Sequence, residues 1–103
     1  MTTTLIDDNH AQIADLCRTF GVRRLDVFGS AVREDFDPAR SDVDFLVDFA
    51  HDEDRNRFRD YFALRDALAR LLGRPVDLVM ARALTNRYLQ AAIEAERQLV
   101  YAA

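Results

Sequence analysis

The spacing of apolar residues along this chain alternates between a helical and an extended period, and each change marks an element. From Asp8 to Phe20, the residues Ile13, Leu16, Cys17 and Phe20 fall at i, i+3, i+4 and i+7, which predicts a helix with one apolar face. Gly21 follows where a helix-ending glycine belongs. In Val22 to Phe28, Leu25 and Val27 alternate with charged neighbours, which predicts a strand leading into Gly29-Ser30. Arg33 to Arg40 is polar, contains Pro38, and reads as a loop or a short helix plus loop. The clearest segment is Ser41 to Phe49. Val43, Phe45, Val47 and Phe49 take one parity; Asp42, Asp44, Leu46 and Asp48 take the other. Strict period-two alternation predicts a strand with one apolar face.

Asp52 to Leu72 carries Phe58, Tyr61, Phe62, Leu64, Leu68, Leu71 and Leu72 at helical spacing, and Gly73 closes it. Pro75 to Met80 reads as a short strand, and Thr85 to Glu96 as a helix with Tyr88, Leu89, Ala92 and Ile93 on one face. Leu99-Val100-Tyr101 adds a last edge strand. Two consecutive strands joined by about a dozen residues pair antiparallel more naturally than through a crossover. The third strand returns to the same sheet after the long helix. The expected fold is therefore α/β of the α+β kind: a small mixed, mainly antiparallel sheet. Helices back one face, and the other is open around the aspartates.

Composition narrows the chemistry. The 103 residues allow one domain, taken as 1–103. All 14 basic residues are arginine, which removes a Walker A lysine and any Schiff-base mechanism. Cys17 is alone and excludes an internal disulfide or a multi-thiolate zinc site, while His10 and His51 are too few for a three-histidine zinc. Carboxylates remain, and they suit hard cations such as magnesium. The formal charge of −4 argues against binding long nucleic acid. The start lacks a signal-peptide pattern and no apolar stretch reaches the roughly 20 residues of a membrane span, so a cytoplasmic location is expected.

The candidate site combines Gly29-Ser30, Asp42-Val43-Asp44 and Asp77. Asp42 and Asp44 are two apart on a strand, so their side chains leave the same face from Cα atoms about 6.6 Å apart. Asp77 interrupts an otherwise apolar strand, where a lone carboxylate is costly unless it meets a cation. If these strands are neighbours, three aspartates converge. Their mutual repulsion is relieved by divalent cations, and two ions about 4 Å apart suit in-line attack on phosphorus. Gly29 lets backbone approach phosphates, and Ser30 offers a hydroxyl and N–H groups.

Gly29-Ser30, eleven intervening residues, Asp42-Val43-Asp44 and Val76-Asp77-Leu78 resemble the motifs of the DNA-polymerase-beta-type nucleotidyltransferase superfamily. Within it the chain is similar to the minimal nucleotidyltransferases, over nearly its whole length. The resemblance implies a polymerase-beta-like fold, with Asp42, Asp44 and Asp77 as catalytic metal ligands for Mg2+. It implies that Gly29, Ser30 and Arg33 contact the nucleotide. The usual glycine after that arginine is Glu34 here, and the spacer is one residue longer than the commonest one. It further implies an antitoxin that transfers AMP from ATP to a tyrosine hydroxyl of a HEPN ribonuclease toxin, in a hetero-oligomer.

Each feature also has a plainer reading. Asp42 and Asp44 alone suit the solvated side of a strand, Gly29-Ser30 alone a turn, and Asp77 alone an exposed edge position. Asp48, His10 and His51 read as surface residues, and Cys17 as packed. Phe58, Tyr61 and Phe62 read as core, and Arg55, Arg57 and Arg59 as the solvated start of a helix. Two other functions compete: a non-catalytic module that silences a toxin by occlusion, and nucleotidyl transfer to a small molecule such as an aminoglycoside. The intact carboxylate set favours catalysis, and the short chain favours an acceptor that brings its own surface.

Overall fold

A hydrophobic strand pair organises the molecule. The computed structural model of the chain describes residues 4–32 and 42–103. Strands β1 (Val22–Phe28) and β2 (Val43–Phe49) are antiparallel, with Leu25 opposite Val47 and Val27 opposite Phe45. Strand β3 (Val76–Met80) adds to β2 in parallel, and β4 (Gln98–Ala102) adds to β1 antiparallel. The sheet order is β3-β2-β1-β4, the mixed, mainly antiparallel arrangement expected from the sequence.

Helices α1 (Thr4–Asp8), α2 (His10–Thr19) and α3 (Arg57–Leu72) supply the apolar layer on one face. Ile13 and Cys17 of α2 and Leu64, Leu68 and Leu72 of α3 pack with Leu25, Val27, Phe45, Val47 and Leu78. Burying each such side chain contributes about 1.5–3 kcal/mol. Asn56 caps α3 by accepting the Arg59 N–H, and Gly73 ends it in the left-handed conformation that side chains resist.

The structure differs from the sequence reading at several points. The first helix breaks at Asn9, and residues 52–56 precede α3 rather than forming its first turn. There Arg55 is no free helix-start cation: it pairs with Asp60 and donates to the Thr19 carbonyl. The last helix, α4 (Arg87–Glu96), starts two residues late, behind its Asn86 cap. It lies on the opposite face, where Ile93 packs with Phe28 and Leu46, so that face is partly covered rather than open. Finally, Phe58, Phe62, Tyr88 and Leu89 are exposed despite their helical spacing. A periodic stripe wider than the sheet it faces leaves its margins in solvent. No described helix is long and apolar enough to cross a membrane.

Cys17 is fully buried, as its helical position predicted, and burial pushes its thiol up to about 12, against a small opposing effect of Arg18. In the unfolded chain a thiol ionises near pH 8.5. The raised folded value therefore stabilises the protein fully below about pH 8.5, and that contribution is lost as pH rises through about 12. Stability to urea should fall by about 1 kcal/mol between pH 7.5 and 9.5 and show a smaller slope in Cys17→Ala. Equal slopes in the two proteins would contradict this.

Candidate functional site

The β2–β3 pairing builds the site. The Val43 N–H donates to the Pro75 carbonyl at 3.1 Å, and the strands continue in parallel register. Val43 lies beside Val76, Asp44 beside Asp77, and Phe45 beside Leu78. Alternation sends the two apolar pairs toward the α2–α3 layer and both carboxylates to the other face. Like charges side by side are destabilising. The register holds because a one-residue slip would carry Val43, Phe45, Val76 and Leu78 out of the core.

Asp44 is half-buried and Asp77 is exposed. Asp42 is exposed immediately ahead of β2, and its carbonyl accepts a hydrogen bond from the Ser30 hydroxyl at 3.4 Å. This bond ties the 3₁₀ turn Gly29–Val32 to the start of β2. Gly29 has φ +73°, and a Cβ there would lie 2.4 Å from Oδ2 of Asp44. Glycine is thus required both by the backbone and by the carboxylate packed against it. Gly29, Ser30, Asp42, Asp44 and Asp77 therefore gather at one end of the sheet, where Phe28 faces Asp44 across the β1–β2 pair. Arg33 and Glu34 lie outside the described residues.

Oxygen donors of this kind fit a hard divalent cation such as Mg2+. Among the described residues, however, no three histidine, cysteine, aspartate or glutamate side chains form a ready-made ligand group. Asp44 and Asp77 share a register position; Asp42 stands at its margin.

The same face carries a second charged group that the sequence reading missed. Asp26, 1% exposed, accepts from Arg24 and Arg97, each at 2.8 Å, and Arg97 also reaches Glu94 at 3.0 Å. Asp48, expected at the surface, is largely buried and pairs with Arg23 at 2.9 Å and Arg82 at 3.2 Å. Its Oδ1 lies within ion-pair reach of Arg82 without an aligned hydrogen bond. Arg23, Arg24, Asp26, Asp48 and Arg97 border a cavity of about 250 Å³, and the Asp26–Arg97 pair fastens the α4–β4 segment to the sheet. The signal that marked Asp77, a carboxylate among buried apolar strand residues, also marks Asp26; its partner Arg97 is 71 residues away.

Residues 11–100 match the nucleotidyltransferase domain family, and the chain belongs to it, an enzyme of the nucleotidyltransferase type. It is 39% identical over 87 residues to protein adenylyltransferase MntA of Thermococcus cleftensis, covering 84% of this chain and 81% of that one. A solved structure described as a minimal nucleotidyltransferase is 33% identical with a TM-score of 0.70, covering 95% of both chains. Two others share the fold at lower identity. One, from a toxin–antitoxin with AMP-PNP, is 23% identical with a TM-score of 0.69, covering 92% of this chain and 74% of that one. The other, a tri-AMPylated HEPN toxin of Shewanella oneidensis in complex with MNT antitoxin, gives 22% and 0.66, covering 95% and 73%.

Two substitutions test this construction. Gly29→Ala should keep the fold at a cost of about 1–2 kcal/mol for its left-handed backbone. By displacing Asp44 it should lower nucleotidyl transfer about 100-fold; unchanged transfer would contradict the packing described. Asp26→Asn should lower stability by about 1–3 kcal/mol, discounted for the partial exposure of both arginines. Unaltered urea unfolding would show that the ion pairs are not structural.

Proposed function

We propose that this nucleotidyltransferase moves AMP from ATP to a hydroxyl of a partner protein, a tyrosine of a HEPN-type toxin, and so acts as an antitoxin. The observation that carries the reading is the in-register placement of Asp44 beside Asp77, with Gly29 and Ser30 at the same end of the sheet. The relatives support the rest: an MntA named as a protein adenylyltransferase, a toxin–antitoxin with AMP-PNP, and a tri-AMPylated HEPN toxin with its antitoxin.

In this proposal Asp42, Asp44 and Asp77 hold Mg2+. When bound, Mg2+ offsets the charge of the carboxylates and the triphosphate and favours the ionised acceptor oxygen. Gly29 leaves room for the Asp44 carboxylate at the end of β1 and presents its backbone to the phosphates, and Ser30 donates to them, with Arg33 as a further cation. The acceptor oxygen attacks the α-phosphorus in line, the bond from that phosphorus to the bridging oxygen breaks, and pyrophosphate leaves. The acceptor proton passes to the Asp77 carboxylate, which stands exposed at the sheet edge. A small-molecule acceptor would need an enclosing surface beyond this sheet end, whereas a protein brings its own. The expected location is the cytoplasm.

With ATP labelled on the α-phosphate, the wild-type chain should label a co-expressed HEPN partner, and Asp44→Asn should lower the rate at least about 100-fold. Neutralisation of the partner in cells should be lost in parallel. Label transfer that survives in Asp44→Asn removes the mechanism. Neutralisation that survives without label supports occlusion instead.

A further inference from the structure

Asp77 stands on an outer strand of the sheet. Strand β3 pairs with β2 on one side and, among the described residues, with no strand on the other. The Val43 N–H donates to the Pro75 carbonyl, and a parallel ladder alternates from there. Its register turns the backbone of Asp77 and Val79 toward β2 and that of Val76 and Leu78 toward the free edge. Among the described residues the exposed Asp77 side chain makes no hydrogen bond or ion pair, so its strand alone aims the carboxylate.

At the free edge the Leu78 carbonyl meets Tyr61 of α3. The phenolic hydroxyl donates to it at 2.6 Å, from a ring that packs on the core and meets Phe62 edge-on at 5.1 Å. Leu64 and Leu68, on the following turns, are fully buried, so the helix is a fixed support for that ring. One turn earlier, Arg57 donates to the Ala50 carbonyl at 2.7 Å and ties the start of α3 to the end of β2.

We propose that Tyr61 is a positioning residue for nucleotidyl transfer. Its hydroxyl, through the Leu78 carbonyl, fixes the tilt of β3 and so the direction in which the Asp77 carboxylate leaves the sheet beside Asp44. The inference rests on the reading of Asp77 given above and adds the group that aims it.

A strand bonded along one side only can rock about that row of bonds. Rocking spares the ladder but swings the side chains, and Asp77 has no other restraint among the described residues. A bond on the opposite side removes the freedom, and the Tyr61 hydroxyl supplies it one residue along the chain from Asp77. Core packing alone requires no hydroxyl, as Phe62 beside it shows. Without that hydroxyl the carbonyl of Leu78, a residue 3% exposed, would be a buried acceptor lacking this donor, and β3 would shift to find another. Shared ligands tolerate little of this, because a working site needs placement within about 0.5 Å and 10–20°. Tyr61 belongs to the helix-covered side and Asp77 faces the other, so Tyr61 acts through the main chain and touches no substrate.

Tyr61→Phe keeps the ring and removes only the hydroxyl. With labelled ATP and the co-expressed HEPN partner, at a temperature where the chain is fully folded, kcat should fall about tenfold, with KM for ATP changed less than about twofold. Without turnover, the Mg2+ concentration that gives half of the AMP-PNP-induced rise in melting temperature should increase about threefold. Combining Tyr61→Phe with Asp77→Asn should cost no more activity than Asp77→Asn alone. Ile13→Val, which trims the core on α2, is the control for lost stability and should keep the wild-type kcat and Mg2+ midpoint. A folded Tyr61→Phe with both wild-type values overturns the proposal. So does a chain that fails to fold, a loss that multiplies fully with that of Asp77→Asn, or an equal loss in Ile13→Val. If Asp77→Asn alone transfers label at the wild-type rate, the reading of Asp77 fails, and the proposal with it.

Discussion

The register between β2 and β3 is the constraint on which the rest depends. Two carboxylates, Asp44 and Asp77, lie side by side on neighbouring strands, an arrangement that repulsion opposes. It persists because the reverse of the same ladder is apolar: Val43 with Val76 and Phe45 with Leu78, all buried. Hydrophobic burial of about 1.5–3 kcal/mol per large side chain exceeds the screened repulsion of half-exposed charges. The core thus fixes the geometry of the site, and α3, which spans the crossover between the two strands, supplies part of that core.

The aspartates on this face fall into two kinds. Asp26 and Asp48 are buried or nearly so, each claimed by two arginines, and they join α4, β1 and β2 into one structure. Asp42 and Asp77 stand exposed at the sheet end beside Gly29. Among the described residues, the same residue type is structural where guanidinium groups surround it, as at Asp26 and Asp48, and open to a cation or substrate where they do not, as at Asp42 and Asp77. A chain with arginine as its sole basic residue makes the first kind well, because a planar fork meets a carboxylate with two parallel hydrogen bonds.

Much of this was legible in the sequence, and the gaps have physical causes. The period-two alternation from Asp42 to Phe49 located β2 and its carboxylate side, and the apolar run around Asp77 located β3. Both readings rest on local patterns that a sheet obeys directly. The role of Gly29 against Asp44 was only half legible, since a close approach across strands is a distance between residues fifteen apart. Helical spacing identified the stripe of Phe58, Tyr61 and Phe62 but not its burial. Tyr61 does pack on the core and bonds to the Leu78 carbonyl, and with Leu64, Leu68 and Leu72 it takes up the side of α3 that meets the sheet, which leaves Phe58 and Phe62 exposed. The position of α4 was hidden for a similar reason: Ile93 alone anchors its apolar side, and the Asp26–Arg97 pair that places it joins distant segments.

The central claim is that Asp44 and Asp77 act as one unit because the ladder sets them together. A double-mutant cycle on nucleotidyl transfer with Asp44→Asn, Asp77→Asn and the combined variant measures that coupling most directly. The account predicts strong non-additivity, with the combined variant losing little more activity than the worse single one. Losses that simply multiply would show two independent carboxylates and contradict it.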